Sequence, residues 1–400
     1  MRIALVSEHA NPLAVLGGAD AGGQNVHVGA LAAELAARGH DVTVYSRWTA
    51  TGVPVRVVTD EGYAVEHVPV GPPEEVPKDD LLQYMPAFAR YLEMRWSERP
   101  VDIVHAHFWM SGVASTRAAR RVDLPVVQTF HALGTVKRRQ QGDHDTSPPE
   151  RLGLERGLCR RVDHVIATCT DEVEELAAMG LPARRATVVP CGVDTDLFRP
   201  QEVPPKPHRT LLSIGRLVER KGVGNAIEAL AMLPGVELRV AGGPAPSGLH
   251  DDPEVRRLRE VATRSGVSER VHFLGGVGRE RVPELMNEAD LVVAVPWYEP
   301  FGIVPVEAMA CGRPVVGSAV GGLLDTVLPG VTGELVPPRR PDVIALAVRR
   351  LLEDPARRVA YGQAGRDRAV ALYRWSRVAE ATEEVYERIV AAATRKAVAP

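Results

Sequence analysis

Short apolar runs alternate with amphipathic stretches twice along this chain, and a proline-crowded interval separates the two series. The runs of the first series fall at residues 3–6, 42–45, 103–104, 126–127 and 165–167. Each is too short for a helix, so each reads as a strand buried on both faces. Helical stretches lie between them. In residues 26–37, Val28, Leu31 and Leu35 with neighbouring alanines make one apolar face, and Gly39 stops the helix. Strands that alternate with helices call for a parallel sheet covered on both sides.

Around residues 189–208 the periodicity fails among Pro190, Pro200, Pro204, Pro205 and Pro207, which reads as an interdomain linker. The second series places strands at 211–214, 238–241, 271–274, 291–295 and 314–316, with helices at 222–233, 253–265 and 283–289. From residue 342 to about 393 the chain is helical, with a break near Arg374, Trp375 and Ser376. In the last helix Val378, Ala379, Val385, Tyr386, Ile389 and Val390 form an apolar stripe that must pack on something.

A chain of 400 residues suits two domains better than one core. The expected fold class is therefore α/β: two Rossmann-like, doubly wound parallel-sheet domains facing each other across a cleft. Their expected bounds are 1–195 and 209–375, with a linker at 196–208 and a C-terminal helix and tail at 376–400. Ligands of such sheets sit outside the carboxyl ends of the strands. A net charge of −3 supplies no global basic field, so neither nucleic acid nor integral membrane association is expected. Cys159, Cys169, Cys191 and Cys311 show no CxxC spacing and read as free buried thiols of a reducing compartment. No run approaches the length of a bilayer span, and the first run is too short for a signal peptide, so a cytoplasmic location is expected.

Four segments carry chemistry. In Glu299-Pro300-Phe301-Gly302-Ile303-Val304-Pro305-Val306-Glu307 two carboxylates flank a Phe-Gly turn, the second just inside a helix. A helix start favours phosphate, whereas an ionised Glu only accepts hydrogen bonds and suits the hydroxyls of a sugar or ribose. The loop 16–25, with Gly17, Gly18, Gly22 and Gly23, lets a ligand approach the backbone but lacks G-x-G-x-x-G, which disfavours dinucleotides. Gly215-Arg216 to Lys221-Gly222 follows the first strand of the second series. Its Arg fork and Lys point charge would stabilise a departing diphosphate more than a bound one, while Arg220 is expected to point elsewhere. His131 lies just past a buried strand, where ligand contact and a backbone-bonded histidine are both open readings. His105 and His107 flank Ala106 at another strand end, with no carboxylate or Cys at ligand spacing, so no metal is expected.

Together these segments bear a resemblance. Gly22-Gly23, Thr129-Phe130-His131, residues 189–194 with 198–200, Arg216 to Lys221, and Glu299 to Glu307 continuing to Pro314 resemble, in order, the retaining family-4 glycosyltransferases of GT-B fold. The resemblance implies a nucleotide-sugar donor, a UDP-sugar first and a GDP-sugar second, held by the second domain. It implies that Glu307 holds the ribose and Glu299 the donor sugar, and that Phe301, Gly302, Ile303 and Val304 supply backbone contacts. Arg216 and Lys221, helped by the Gly23 backbone, would stabilise the leaving diphosphate, and His131 would contact the donor sugar. It further implies retention of anomeric configuration, no bound metal, no separate cofactor, and a last helix that crosses back to brace the first domain.

A narrower resemblance joins Gly22 to Asn25, residues 77–80 and 105–109, and Arg151 to the branch containing the mycothiol-pathway inositol-phosphate N-acetylglucosaminyltransferases and, more distantly, sucrose-phosphate synthases. There, residues matching Asn25, Lys78 and Arg151 help bind the acceptor phosphate. Phe108 stands where a Tyr is usual and Ala132 where a Thr is usual, and each change deletes a hydroxyl. A lost hydrogen bond to a charged group costs about 1.5–3 kcal/mol. The expected acceptor is thus a small polar cyclitol, sugar or natural product that need not carry a phosphate. A nucleotide-binding protein without turnover and a sugar-nucleotide epimerase of the same fold are the rival classes. Oligomeric state is not legible.

Overall fold

The first apolar series builds an eight-stranded sheet, and the second a six-stranded one. The structure is a computed structural model that describes residues 1–14, 23–204 and 206–398. Residues 16–22 of the expected glycine-rich loop, Gly17, Gly18 and Gly22 included, lie outside the described residues, as does Pro205. The chain divides into two units, Met1–Cys191 with Trp375–Pro400, and Gly192–Arg374.

In the first unit the strands are β1 Arg2–Val6, β2 Asp41–Arg47, β3 Arg56–Val58, β4 Ala64–Val68, β5 Ile103–His107, β6 Val126–Thr129, β7 His164–Ala167 and β8 Ala186–Val188. Their order is β3-β4-β2-β1-β5-β6-β7-β8, and only the β3–β4 pair is antiparallel. Central strands such as β1 and β5 are buried on both faces, as their unbroken apolar runs require. The helix Trp375–Val398 belongs to this unit. Its Val378, Ala379, Val385 and Tyr386 join Val28, Leu31 and Leu35 of the helix Gly23–Ala37 in one buried cluster. The apolar stripe of the last helix is thereby covered.

Polar residues inside strands hide β4 from a reading of hydropathy. Glu66 is fully buried, and its carboxylate accepts from Arg95 Nε at 2.6 Å, Tyr91 Oη at 2.9 Å and Arg56 Nη1 at 3.3 Å. A buried carboxylate persists only when paired in this way.

The second unit holds β9 Arg209–Ile214, β10 Val236–Ala241, β11 Val271–Gly275, β12 Leu291–Ala294, β13 Val315–Ser318 and β14 Gly333–Val336. Their order, β11-β10-β9-β12-β13-β14, is entirely parallel and equals the 3-2-1-4-5-6 order of a doubly wound dinucleotide-type sheet. The interval 196–208, expected as a linker, instead packs on this unit. Phe198 is fully buried, Asn287 Nδ2 donates to the Arg199 carbonyl at 2.9 Å, and Lys206 Nζ donates to the Glu288 carbonyl at 2.7 Å. One buried aromatic and these polar ties hold the proline-crowded interval in place. The expected continuous tail is also broken at Asp354, whose carboxylate accepts from Arg357 N at 2.9 Å and caps the helix Pro355–Leu372. All four cysteines are buried thiols outside any disulfide.

Candidate functional site

Strands β9 and β12 are neighbours whose chain connections leave in opposite directions, which makes their carboxyl ends a topological switch point. The loop 215–222 leaves β9, and the loop 295–302 leaves β12. The Trp297 backbone N–H donates to the Arg220 carbonyl at 2.8 Å and ties the two loops together. Lys221 Nζ donates to Glu299 Oε2, so two residues 78 apart in sequence share one hydrogen-bonded ion pair. Burial alone would raise the Glu299 carboxyl. Lys221, then Arg220 and Arg216, outweigh it and hold it below the ordinary glutamate value. Glu299 therefore stays an acceptor at neutral pH. Arg216 is exposed beside this pair, with no ion-pair partner among the described residues.

Gly222 permits this geometry. Its φ is 74°, and a Cβ there would stand 1.9 Å from the Val295 carbonyl oxygen. Gly222→Ala combines a left-handed backbone with that clash, so it is expected to cost at least about 2 kcal/mol. Thermal unfolding checks this: Tm should drop by roughly 4–8 °C, and an unchanged Tm would mean the two loops are not held as described.

Gly302, at φ 86°, precedes the helix Ile303–Ala310. The Ile303 and Val304 amides occupy its first turn, where no intrahelical acceptor exists, and Pro305 has no N–H. Phe301 is buried edge-on to Tyr373, with ring centroids 6.3 Å apart. Glu307 lies on the second turn, buried, 3.0 Å from Arg279 Nη1. Burial raises its carboxyl above the ordinary value, and Arg279 opposes that rise. The Arg279 guanidinium also lies 5.1 Å from the Phe198 ring centroid, which makes it a site residue that spacing did not reveal.

The first unit carries its own constellation. Phe108 follows β5 and adopts φ 78°; His131 follows β6 and adopts φ 59°. Left-handed conformations at bulky residues are uncommon and cluster at functional sites. Lys78 Nζ lies 5.8 Å, and the Arg151 guanidinium 5.2 Å, from the centroid of the Phe108 ring. Two predicted acceptor residues thus converge on one aromatic face. Arg151 is buried and spends its donors internally: Nε to Glu155 at 2.8 Å, Nη1 to Ser147 Oγ at 3.1 Å and Nη2 to the Ala132 carbonyl at 2.7 Å. Asn25 is buried, with Nδ2 donating to the Asn11 carbonyl at 2.9 Å. Gly23 is the first residue of its helix and is exposed. A cavity of about 340 Å³ opens beside Arg151, lined by Arg138, Asp143, Asp145 and Ser147 among others.

His131 Nε2 lies 3.0 Å from His107 Nδ1. The His105 and His107 rings are tilted by 38° with centroids 4.1 Å apart, and His27 stands edge-on to His131 at 5.1 Å. Proximity in sequence marks only the 105/107 pair; His27 comes from the first helix and carries no motif.

Two family descriptions match the chain: Glycosyltransferase Family 4 over residues 21–197 and Glycosyl transferases group 1 over residues 194–368. The D-inositol 3-phosphate glycosyltransferase of Kineococcus radiotolerans is 37% identical over 421 residues, covering 97% of this chain and 95% of that protein. Its Mycobacterium tuberculosis counterpart is 36% identical over 97% of this chain and 83% of its own length. Sucrose-phosphate synthase of Thermosynechococcus elongatus superposes with a TM-score of 0.88 at 32% identity, covering 98% of this chain and 99% of that one. Anabaena HepE, solved in complex with UDP and glucose, superposes with a TM-score of 0.72 at 21% identity over 97% of this chain and 99% of its own, a likeness of fold.

Proposed function

This chain belongs to the GT-B glycosyltransferases, in the branch of the D-inositol 3-phosphate glycosyltransferases and sucrose-phosphate synthases, and we propose that it moves a hexosyl or N-acetylhexosaminyl group from a UDP-sugar to a hydroxyl of a small polar acceptor with retention of configuration. The observation that carries this reading is the Lys221–Glu299 ion pair at the β9/β12 switch point, with Arg216 exposed beside it. In the reading, the anomeric C1–O bond breaks and its electron pair leaves on the diphosphate. The acceptor oxygen bonds C1 from the same face, and its proton passes to the released phosphate oxygen. Charge grows on the diphosphate as the bond lengthens, so Lys221 and Arg216 bind the transition state more tightly than the donor. As Lys221 turns to phosphate, Glu299 is freed to accept from sugar hydroxyls. Glu307 holds the ribose, and the amides of the Gly302 turn and of Ile303 and Val304 meet sugar and diphosphate. No metal enters this scheme. UDP is favoured over GDP because HepE, of the same fold, was solved with it.

The acceptor side is read from the first unit. The cavity beside Arg151 is polar, which suits a polyol. Phe108 offers no hydroxyl, and Arg151 commits three of its five N–H donors within the protein. A phosphate-bearing acceptor is therefore disfavoured relative to a neutral one. Four buried thiols, and the lack of any helix among the described residues long and apolar enough to cross a membrane, support a cytoplasmic site of action.

The test is a transfer assay with UDP-sugars against inositol and inositol phosphate, with product anomers read by NMR. A glycoside of the donor's own anomeric configuration, formed with higher kcat/KM on inositol than on inositol phosphate, is the expected result; the two missing hydroxyls take from the phosphate two hydrogen bonds worth about 1.5–3 kcal/mol each. An inverted product would remove the retaining step. Equal rates on both acceptors would remove the phosphate argument, and an epimerised nucleotide sugar without glycoside would replace transfer altogether.

A further inference from the structure

Of the four histidines clustered behind the β5 and β6 ends, His105, His107 and His131 make side-chain hydrogen bonds from which their proton positions can be worked out atom by atom. Thr129 Oγ1 donates to the Ile166 carbonyl at 2.9 Å, so it must accept from His105 Nε2, also at 2.9 Å. His105 then bears its proton on Nε2, and its Nδ1 accepts from the Tyr386 hydroxyl at 2.6 Å. That imidazole is thereby fixed by partners on two other elements.

His107 is fully buried, and its Nε2 has no hydrogen-bond partner among the described residues. Its Nδ1 faces His131 Nε2 at 3.0 Å. One of the two nitrogens must donate. If His131 donated, the proton of His107 would sit on its enclosed Nε2 as an orphaned N–H, which proteins rarely tolerate. If His107 donates from Nδ1, only a lone pair is left enclosed.

We infer that His107 is a positioning residue that locks His131 in the Nδ1–H tautomer, so that His131 presents a hydrogen-bond donor, and not a base, to an oxygen of a bound sugar. The geometry around His131 supports this. Its left-handed backbone is pinned by fully buried Phe130 on one side. On the other, the Ala132 carbonyl accepts from Arg151 at 2.7 Å, and the Gly134 amide donates to Glu155 at 2.9 Å. The ring itself lies between those of His27 and His107, with centroids 5.1 and 5.3 Å away. His131 Nδ1 has no protein partner among the described residues, and the residue as a whole is partly exposed. The ionisable groups acting on His131 are His27, His105 and His9, with His107 in direct contact; none is a carboxylate that would draw a second proton onto the ring. Burial, the leading cause, and these histidines depress its pKa, so the ring is neutral at physiological pH. A retaining front-face transfer needs no protein base, and a neutral donor suits it. The sugar contact rests on the proposed function; the tautomer does not.

The test uses the full chain labelled with 15N in the histidine rings. Long-range proton–nitrogen correlation at neutral pH distinguishes Nδ1–H from Nε2–H rings, and His131→Asn assigns the His131 signals. The expected result is Nδ1–H at His131 in the parent and loss of that preference in His107→Leu. Nε2–H at His131 in the parent overturns the inference. In His107→Asn the side-chain amide can take the place of the Nδ1–H donor. Transfer kcat is expected to drop about tenfold in His107→Leu, the scale of one lost transition-state contact, and to stay within about threefold of the parent in His107→Asn. Equal losses in both variants overturn the positioning role. If the protein transfers no sugar at all, the spectra still decide the tautomer, so failure of the function and failure of the inference are told apart.

Discussion

An Arg216→Ala/Lys221→Ala variant is expected to lose at least about a hundredfold in kcat, the effect of removing one or more donors aimed at developing negative charge. The parent should gain thermal stability with UDP, and the variant should not, because a ligand stabilises only the state that binds it. Lys221→Ala alone leaves Glu299 with its closest counter-charge gone. Adding Glu299→Gln separates two causes of the loss. If the damage came from a stranded carboxylate, the second change would restore turnover. If Lys221 acts on the diphosphate, turnover stays low. Full activity in the double cation variant would show that the diphosphate is bound elsewhere.

Acid should destabilise the first unit steeply between about pH 6.5 and pH 4. Burial pulls the His27 pKa down to about 4 and His105 to about 3. His107 and His131 are lowered well below the ordinary value by burial, then by each other's neighbours. Unfolded histidines titrate near the ordinary value and take up protons that the folded ones refuse. Stability is therefore fully present above about 6.5 and is lost as pH falls toward the folded values, at about 1.4 kcal/mol per pH unit per histidine. Glu299 has the opposite charge type and lies in the second unit, and its depressed pKa confines its own loss to the acid end of the range. Urea midpoints measured from pH 7.5 to 5 check the slope. His27→Phe should flatten it by one histidine's share, and a flat parent curve would mean the cluster is hydrated or already protonated.

The strand–helix alternation made both sheets legible, because doubly buried parallel strands must be apolar runs. The strands that escaped are the ones that break this rule. β4 carries buried Glu66 and His67, β3 is a three-residue edge, and β8 merges into the proline-crowded interval. β14, Gly333–Val336, is another edge, and two of its four residues are only half-buried. At the candidate site, residue types were readable while pairings were not. Nothing in spacing couples Lys221 to Glu299 across 78 positions, or Arg279 to Glu307 across 28. The left-handed backbones of Phe108 and His131 escaped for the same reason: neither is a glycine, and tertiary contacts alone hold them.

The first unit is built from two pieces of chain, Met1–Cys191 and the stretch beginning at Trp375, with the whole of the second unit inserted between them. During synthesis the domain begun first is therefore completed last. Until the ribosome has released the final helix, Leu31, Leu35 and their neighbours lack the cover of Val378 and Val385, and His105 lacks the Tyr386 hydroxyl. Nascent chains fold from the N-terminus onward, and uncovered apolar surface is what chaperones recognise. The inserted unit, Gly192–Arg374, has every strand of its sheet in hand earlier. The order of birth of the two units is thus the reverse of their order in the chain, and a message cut short before codon 375 yields a finished second unit joined to an unfinished first.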